Sequence, residues 1–140
     1  MHTLNISNLC GSSVMSFGSS STERLTLIFS NQFVLSIECF WRLLGNEVIV
    51  LTRDDEGQLF GLLQPVDALD RLQTALASAQ ITQAVVIPGT CDIHLFFGNG
   101  QKLEVIVNSS GYEAWQLEGP NNFKAIAQGG GNIVVLPENA

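Results

Sequence analysis

A chain of 140 residues with 46% hydrophobic and only 14% charged side chains is too apolar to be disordered and suits one folded domain, residues 1–140. Its 13 acids against 6 bases give a net charge of −7, which disfavours nucleic-acid binding and suits either plain solubility or a basic protein partner. No apolar run approaches the ~20 residues of a membrane span, and the opening MHTLNISNLC lacks the basic start and apolar run of a secretory signal, so a cytoplasmic protein without membrane association is expected.

Taken in chain order, the first segment is serine-rich. GSSVMSFGSSSTE, 11–23, has no G-x-S-x-G elbow and predicts a strand flanked by loop rather than a hydrolase site. LTLIF at 25–29, FVLSIECF at 33–40 and NEVIVLT at 46–52 are rich in β-branched and aromatic residues and predict three strands. RDDEGQ, 53–58, follows as the densest acidic cluster, holding Asp54, Asp55 and Glu56. It lacks the spaced ligands of a calcium loop.

The one break in the strand pattern is PVDALDRLQTALASAQ, 65–80. Val66, Leu69, Leu72 and Leu76 recur at helical spacing and make one apolar stripe. Pro65 suits a first helical position, and Asp67 and Asp70 suit the positive end of the helix dipole. Strand signals then resume at 83–87, 92–97, 102–107, 112–117, 123–127 and 132–136. FGNGQ, 97–101, predicts a tight hairpin because Asn99 and Gly100 both accept positive φ. The fold class that follows is α+β: mostly antiparallel β-meanders with one principal helix near 65–78 that packs on a sheet.

An internal echo spans the helix. LTLIFSNQFVLSI (25–37) lies over IHLFFGNGQKLEV (93–105) at a constant offset of 68, with Leu27/Leu95, Phe29/Phe97, Asn31/Asn99 and Leu35/Leu103 identical. WRL at 41–43 echoes WQL at 115–117 after six further residues. Two related halves and chance similarity both fit this echo.

No segment supplies a catalytic set. The three cysteines, Cys10, Cys39 and Cys91, have no short spacing and predict buried free thiols, and with His2 and His94 far apart no metal site is expected. Cys91, Asp92 and His94 contain the parts of a nucleophilic site, but strand alternation turns Cys91 away from the other two. QGGGN, 128–132, precedes a strand instead of the Lys-Ser/Thr and helix of a phosphate loop, and predicts a glycine bulge or hinge between the final strands. In GYEAWQLEGP, 111–120, alternation sends Trp115 and Leu117 into the core, and Glu113 has no second acid or base beside it. Catalytic residues and cofactors are therefore not expected.

The order of LTLIFSNQFVLSIECFWRL, a leucine-rich helix, DIHLFFGNGQKLEV, YEAWQLEGP and GGGNIVVL resembles a bacterial family of small domains of unknown function, over roughly 5–137. Its members carry a YEAWQL-GP segment and then a Gly-Gly pair before the last strand. They often end in a tryptophan, where this chain reads VVLPENA. The resemblance carries over no catalytic residue. Small acidic domains of this kind are similar to immunity proteins, which neutralise secreted toxins. The expected function is a non-catalytic, immunity-type inhibitor of a basic toxin domain, with Asp54, Asp55, Glu56, Asp67 and Asp70 as the recognition face. The alternative is a small ligand-binding domain or enzyme with a pocket between sheet and helix, near Tyr112, Glu113 or His94.

Overall fold

The structure, a computed structural model, describes residues 4–21 and 24–137. The strands are β1 (Val14–Ser21), β2 (Arg24–Phe29), β3 (Val34–Ile37), β4 (Phe40–Gly45), β5 (Val48–Thr52), β6 (Ile81–Val86), β7 (Ile93–Phe97), β8 (Gln101–Ile106), β9 (Trp115–Gly119), β10 (Phe123–Ala127) and β11 (Ile133–Leu136), with α1 at Ala68–Leu76. They form a six-stranded sheet in the order β1-β2-β3-β9-β10-β11 and a five-stranded sheet in the order β5-β4-β8-β7-β6. Every pairing between these strands is antiparallel. This is a β-rich α+β arrangement. The inward side chains of both sheets, Leu27, Leu35 and Trp115 among them on one side and Leu43, Leu95 and Leu103 on the other, join the same buried cluster.

Element boundaries depart from expectation where backbone hydrogen bonds decide. The apolar run 33–40 is two strands, because Glu38 and Cys39 both donate their N–H to Ala114 O and the chain changes sheets there. In NEVIVLT, Asn46 and Glu47 are a turn, at φ 51° and 68°. The helix begins three residues after Pro65 because Val66 is held extended, donating to Gln58 O and accepting from Gly57 N. Asp67 is its N-cap, accepting from Asp70 N at 3.0 Å. The helix packs against β1 and β5, an edge strand of each sheet, with Leu72 and Leu76 fully buried. At FGNGQ only Gly100 has positive φ; Gly98 and Asn99 are the centre of a turn closed by Gly100 N on Phe97 O.

The sequence echo coincides with a structural repeat. Leu25↔Ile37 and Leu27↔Leu35 pair in the first sheet, and at the offset of 68 Ile93↔Val105 and Leu95↔Leu103 pair in the second. A register shift follows Val14↔Phe29, and another follows the equivalent Ile81↔Phe97. Ile37 then faces Trp115 on β9, and Val105 faces Trp41 on β4. The equivalence extends further than the echo: Gly45 and Gly119 close WRLLG and WQLEG as the last residues of β4 and β9. The connections cross. β3 leads into β4, which joins the second sheet beside β8, and β8 leads to β9, which joins the first beside β3. Each half of the chain thus lends its tryptophan hairpin to the other half's sheet.

Candidate functional site

Between the short 3-10 turn at Arg53–Asp55 and the helix, the chain makes a projecting loop. Gly57 N to Val66 O at 2.9 Å and Val66 N to Gln58 O at 2.8 Å close its base. Its tip is a two-residue turn, Leu62 N donating to Leu59 O at 2.7 Å, with Phe60 at φ 46° and Gly61 at φ 78°. An aromatic residue in the left-handed region is strained. The strain is accompanied by exposure: Leu59, Phe60, Leu62 and Leu63 all face solvent, Phe60 at 68% and Leu63 at 97%. Composition did not single out this loop, although LFGLL between Gln58 and Gln64 is an apolar run too short for a strand and broken by glycine.

The five acids expected to form a face surround this loop in sequence, and the structure gives them different duties. Asp55 accepts from Thr52 N at 2.9 Å in a capping box. Glu56 Oε1 accepts from Ala68 N at 2.7 Å, which brings it to the helix start beside Asp67. Asp67 is the cap itself. Asp54 and Asp70 are exposed, and neither carboxylate takes a hydrogen bond or ion pair among the described residues. Replacing Asp54, Asp55 and Glu56 together would therefore remove two backbone acceptors, each worth about 0.5–2 kcal/mol. The clean probes of surface charge are Asp54 and Asp70. Val50, Asp70 and Arg71 also line a groove of about 380 Å³ between β5 and the helix.

The residues of the alternative site are not brought together. Tyr112 is exposed and Glu113 takes a hydrogen bond from Gln116, both ahead of β9, whereas His94 lies on the outer face of the second sheet. None of them lines the groove beside the helix. The stretch GYEAWQLEGP serves the core: Ala114, Trp115 and Leu117 are buried, and the Trp115 indole donates to Cys91 O at 2.9 Å. The Gly-rich segment between β10 and β11 is packed against the rest of the chain. Gly129, Gly130 and Gly131 all have positive φ and lie against the backbone of Tyr112, Ser110 and Gly89.

Asp92 Oδ1 accepts from Val107 N at 2.8 Å, and Cys91 is buried, so neither meets His94 as a nucleophilic pair. Among the described residues no group of three or more His, Cys, Asp or Glu side chains is placed to hold a metal ion. Among the described residues no helix is long and apolar enough to cross a membrane.

The cysteines depart from expectation at Cys10, which is exposed; Cys39 and Cys91 are buried. Burial pushes the Cys39 thiol up to about 12 and raises that of Cys91 as well. An aromatic disulfide reagent at pH 8 is expected to label Cys10 promptly and the other two only after unfolding. Prompt labelling of Cys39 or Cys91 would contradict the packing around them.

On the outer face of the second sheet, Glu104 is a buried carboxylate. Arg42 Nε lies 2.6 Å from Oε1, Lys102 Nζ 2.9 Å from Oε2 and His94 Nε2 3.6 Å from Oε2. Burial pushes Glu104 up, but the hydrogen bonds from Lys102 and Arg42 outweigh it and hold the carboxyl below its usual range. Burial, and then the charge of Lys102, holds His94 below the ordinary imidazole range, which favours its neutral form.

The model of a family described as of unknown function, DUF6188, matches residues 7–137. No curated protein and no solved structure matches the chain.

Proposed function

The chain belongs to the DUF6188 family of unknown function, and from its own surfaces we propose that it is a non-catalytic binding protein, an immunity-type inhibitor that docks on a basic toxin domain in the bacterial cytoplasm. The observation that carries this reading is the loop 59–63. Four large apolar side chains stand in solvent on a turn that holds Phe60 in a strained conformation. Strain of this kind costs about 1–3 kcal/mol and clusters at sites of function. The acids Asp54, Asp55 and Glu56 precede the loop, and Asp67 and Asp70 follow it. An apolar centre with a charged rim is the composition of a protein interface. The acidic rim selects a basic partner, speeds its approach and repels anionic membranes and nucleic acid.

The test starts from the gene beside this one. If it encodes a secreted toxin with a basic domain, this chain is expected to abolish its activity in vitro and to protect cells that express it. Phe60→Asn retains a residue suited to positive φ and deletes the anchor. It is expected to leave the melting temperature unchanged or raised while weakening inhibition at least about tenfold, the scale of an interface hot spot. Asp54→Ser with Asp70→Ser is expected to slow association most at low salt. A toxin that the wild-type chain leaves fully active, or a Phe60→Asn variant that inhibits as well as the parent, overturns the proposal.

A further inference from the structure

The structural repeat separates what the fold requires from what it does not. On the outer face of the second sheet, Gln83, Phe96, Lys102, Leu44 and Ile49 form one cross-strand row, and Val85, His94, Glu104, Arg42 and Thr52 the next. The equivalent rows of the first sheet place Ile28, Val34 and Glu118 where the second has Phe96, Lys102 and Leu44. They place Thr26, Ser36 and Gln116 where it has His94, Glu104 and Arg42. The same backbone registers are thus built with an uncharged row in one sheet and with an acid, an arginine and a histidine in the other. Sheet pairing does not call for the charges.

Beside the charged row lies a depression of about 490 Å³, within the range of small-molecule sites. Leu44, Phe96 and Thr82 are among the side chains lining it, and Gln101, Lys102 and Glu47 supply polar groups. Lys102 Nζ stands 4.8 Å above the centre of the Phe96 ring while bonding Glu104. One lysine is thereby fixed between an aromatic face and a buried carboxylate, with donor capacity left over. Gln101 Oε1 is buried and has no hydrogen-bond partner among the described residues. A buried acceptor without a donor is costly and calls for one. Glu47 sits on the rim at φ 68°, in a turn position where glycine is the usual residue.

We infer that this depression is a binding site for a free apolar α-amino acid, whose carboxylate and ammonium groups sit on one carbon. The carboxylate pairs with Lys102, whose position Glu104 and Arg42 fix. The amino N–H groups supply the donor that Gln101 Oε1 lacks, and Glu47 favours their positive charge. The apolar side chain lies on Phe96 and Leu44. The site uses none of the residues of the loop 53–70, so it stands or falls independently of the inhibitor reading.

The experiment is a titration of the whole isotope-labelled chain followed by amide NMR. L-phenylalanine, L-leucine, phenylacetate, phenethylamine and the dipeptide Ala-Phe are the probes. Saturable shifts at Leu44, Phe96, Gln101 and Lys102 are expected with the amino acids, with phenylacetate and phenethylamine at least about tenfold weaker because each lacks one of the two polar contacts. Ala-Phe, whose C-terminal residue keeps the carboxylate but has an uncharged amide nitrogen, is expected to bind at least about tenfold more weakly than phenylalanine, and equal or tighter binding overturns the inference. Lys102→Met is expected to lower affinity at least about tenfold and Lys124→Met to leave it unchanged. Should Lys102→Met fail to fold, Gln101→Leu serves: it should weaken phenylalanine but not phenylacetate. No saturable shift up to about 20 mM, a free energy well short of even weak binding, overturns the inference. So do shifts confined to other residues, or phenylacetate binding as tightly as phenylalanine.

Discussion

Trp115→Ala is expected to remove about 3–5 kcal/mol of stability, out of the 5–15 kcal/mol that holds a typical domain together. Trp115 has no exposed surface. It stands at the centre of the six-stranded sheet, facing Ile37 on β3 and Ala127 on β10. Truncation leaves a cavity between three strands that the backbone ladders on both sides prevent from collapsing. It also strands the Cys91 carbonyl, which the indole N–H satisfies at 2.9 Å. Trp115→Phe separates the two effects. It keeps most of the ring volume and loses the hydrogen bond, so a smaller loss of about 1–3 kcal/mol is expected. Urea unfolding of the three proteins gives the differences directly. A Trp115→Ala variant within about 1 kcal/mol of the parent would mean that the indole does not anchor this sheet.

Gly131→Ala is expected to be the most damaging of the glycine substitutions, at about 2–4 kcal/mol. Two costs combine. At φ 83° an L side chain is strained, and the added Cβ would collide with the Gly89 carbonyl oxygen. A carbonyl cannot rotate aside as a flexible side chain can. Gly57 is the control: φ is 79°, but its Cβ would meet nothing within 4 Å. Gly57→Ala should therefore show the conformational cost alone, about 1 kcal/mol. Thermal unfolding of both variants measures the difference. Equal melting temperatures would show that the final loop is not packed on the backbone of Gly89.

These two residues mark what was legible in the sequence. Trp115 is legible as a core residue because its alternation with Leu117 is a local pattern, and local patterns survive folding. The same holds for β10 at Phe123–Ala127, which occupies the predicted 123–127. The glycines of QGGGN read as a bulge or hinge because their crowding comes from residues 109–112 and 89, which no local rule connects to them. Glu38 and Cys39 carry no glycine, proline or asparagine, so nothing along the run 33–40 announced the change of sheet; Ala114 imposes it from across the chain. The acidic residues were legible as a cluster, but their division into caps (Asp55, Glu56, Asp67) and free charges (Asp54, Asp70) depends on where Thr52 and Ala68 present their N–H groups. Phe60 is not legible in the sequence because exposure of an apolar residue is a tertiary fact. The charged row around Glu104 needed three strands from distant parts of the sequence to exist at all.

The crossed connections bear on the order in which a ribosome delivers this chain. β3 emerges with one flank paired to β2 and the other awaiting β9. Everything between Ile37 and Trp115 must be synthesised before that partner arrives, a delay on the order of 4–16 s at 5–20 residues per second. During it the nascent protein carries an open strand flank with Leu35 and Ile37 on it, the kind of edge that recruits strands from other chains. The second half has no such wait, since β4 is already present when β8 is made. Vectorial synthesis therefore breaks the equivalence of the two halves: the five-stranded sheet can close before the chain is finished, and the six-stranded sheet closes last.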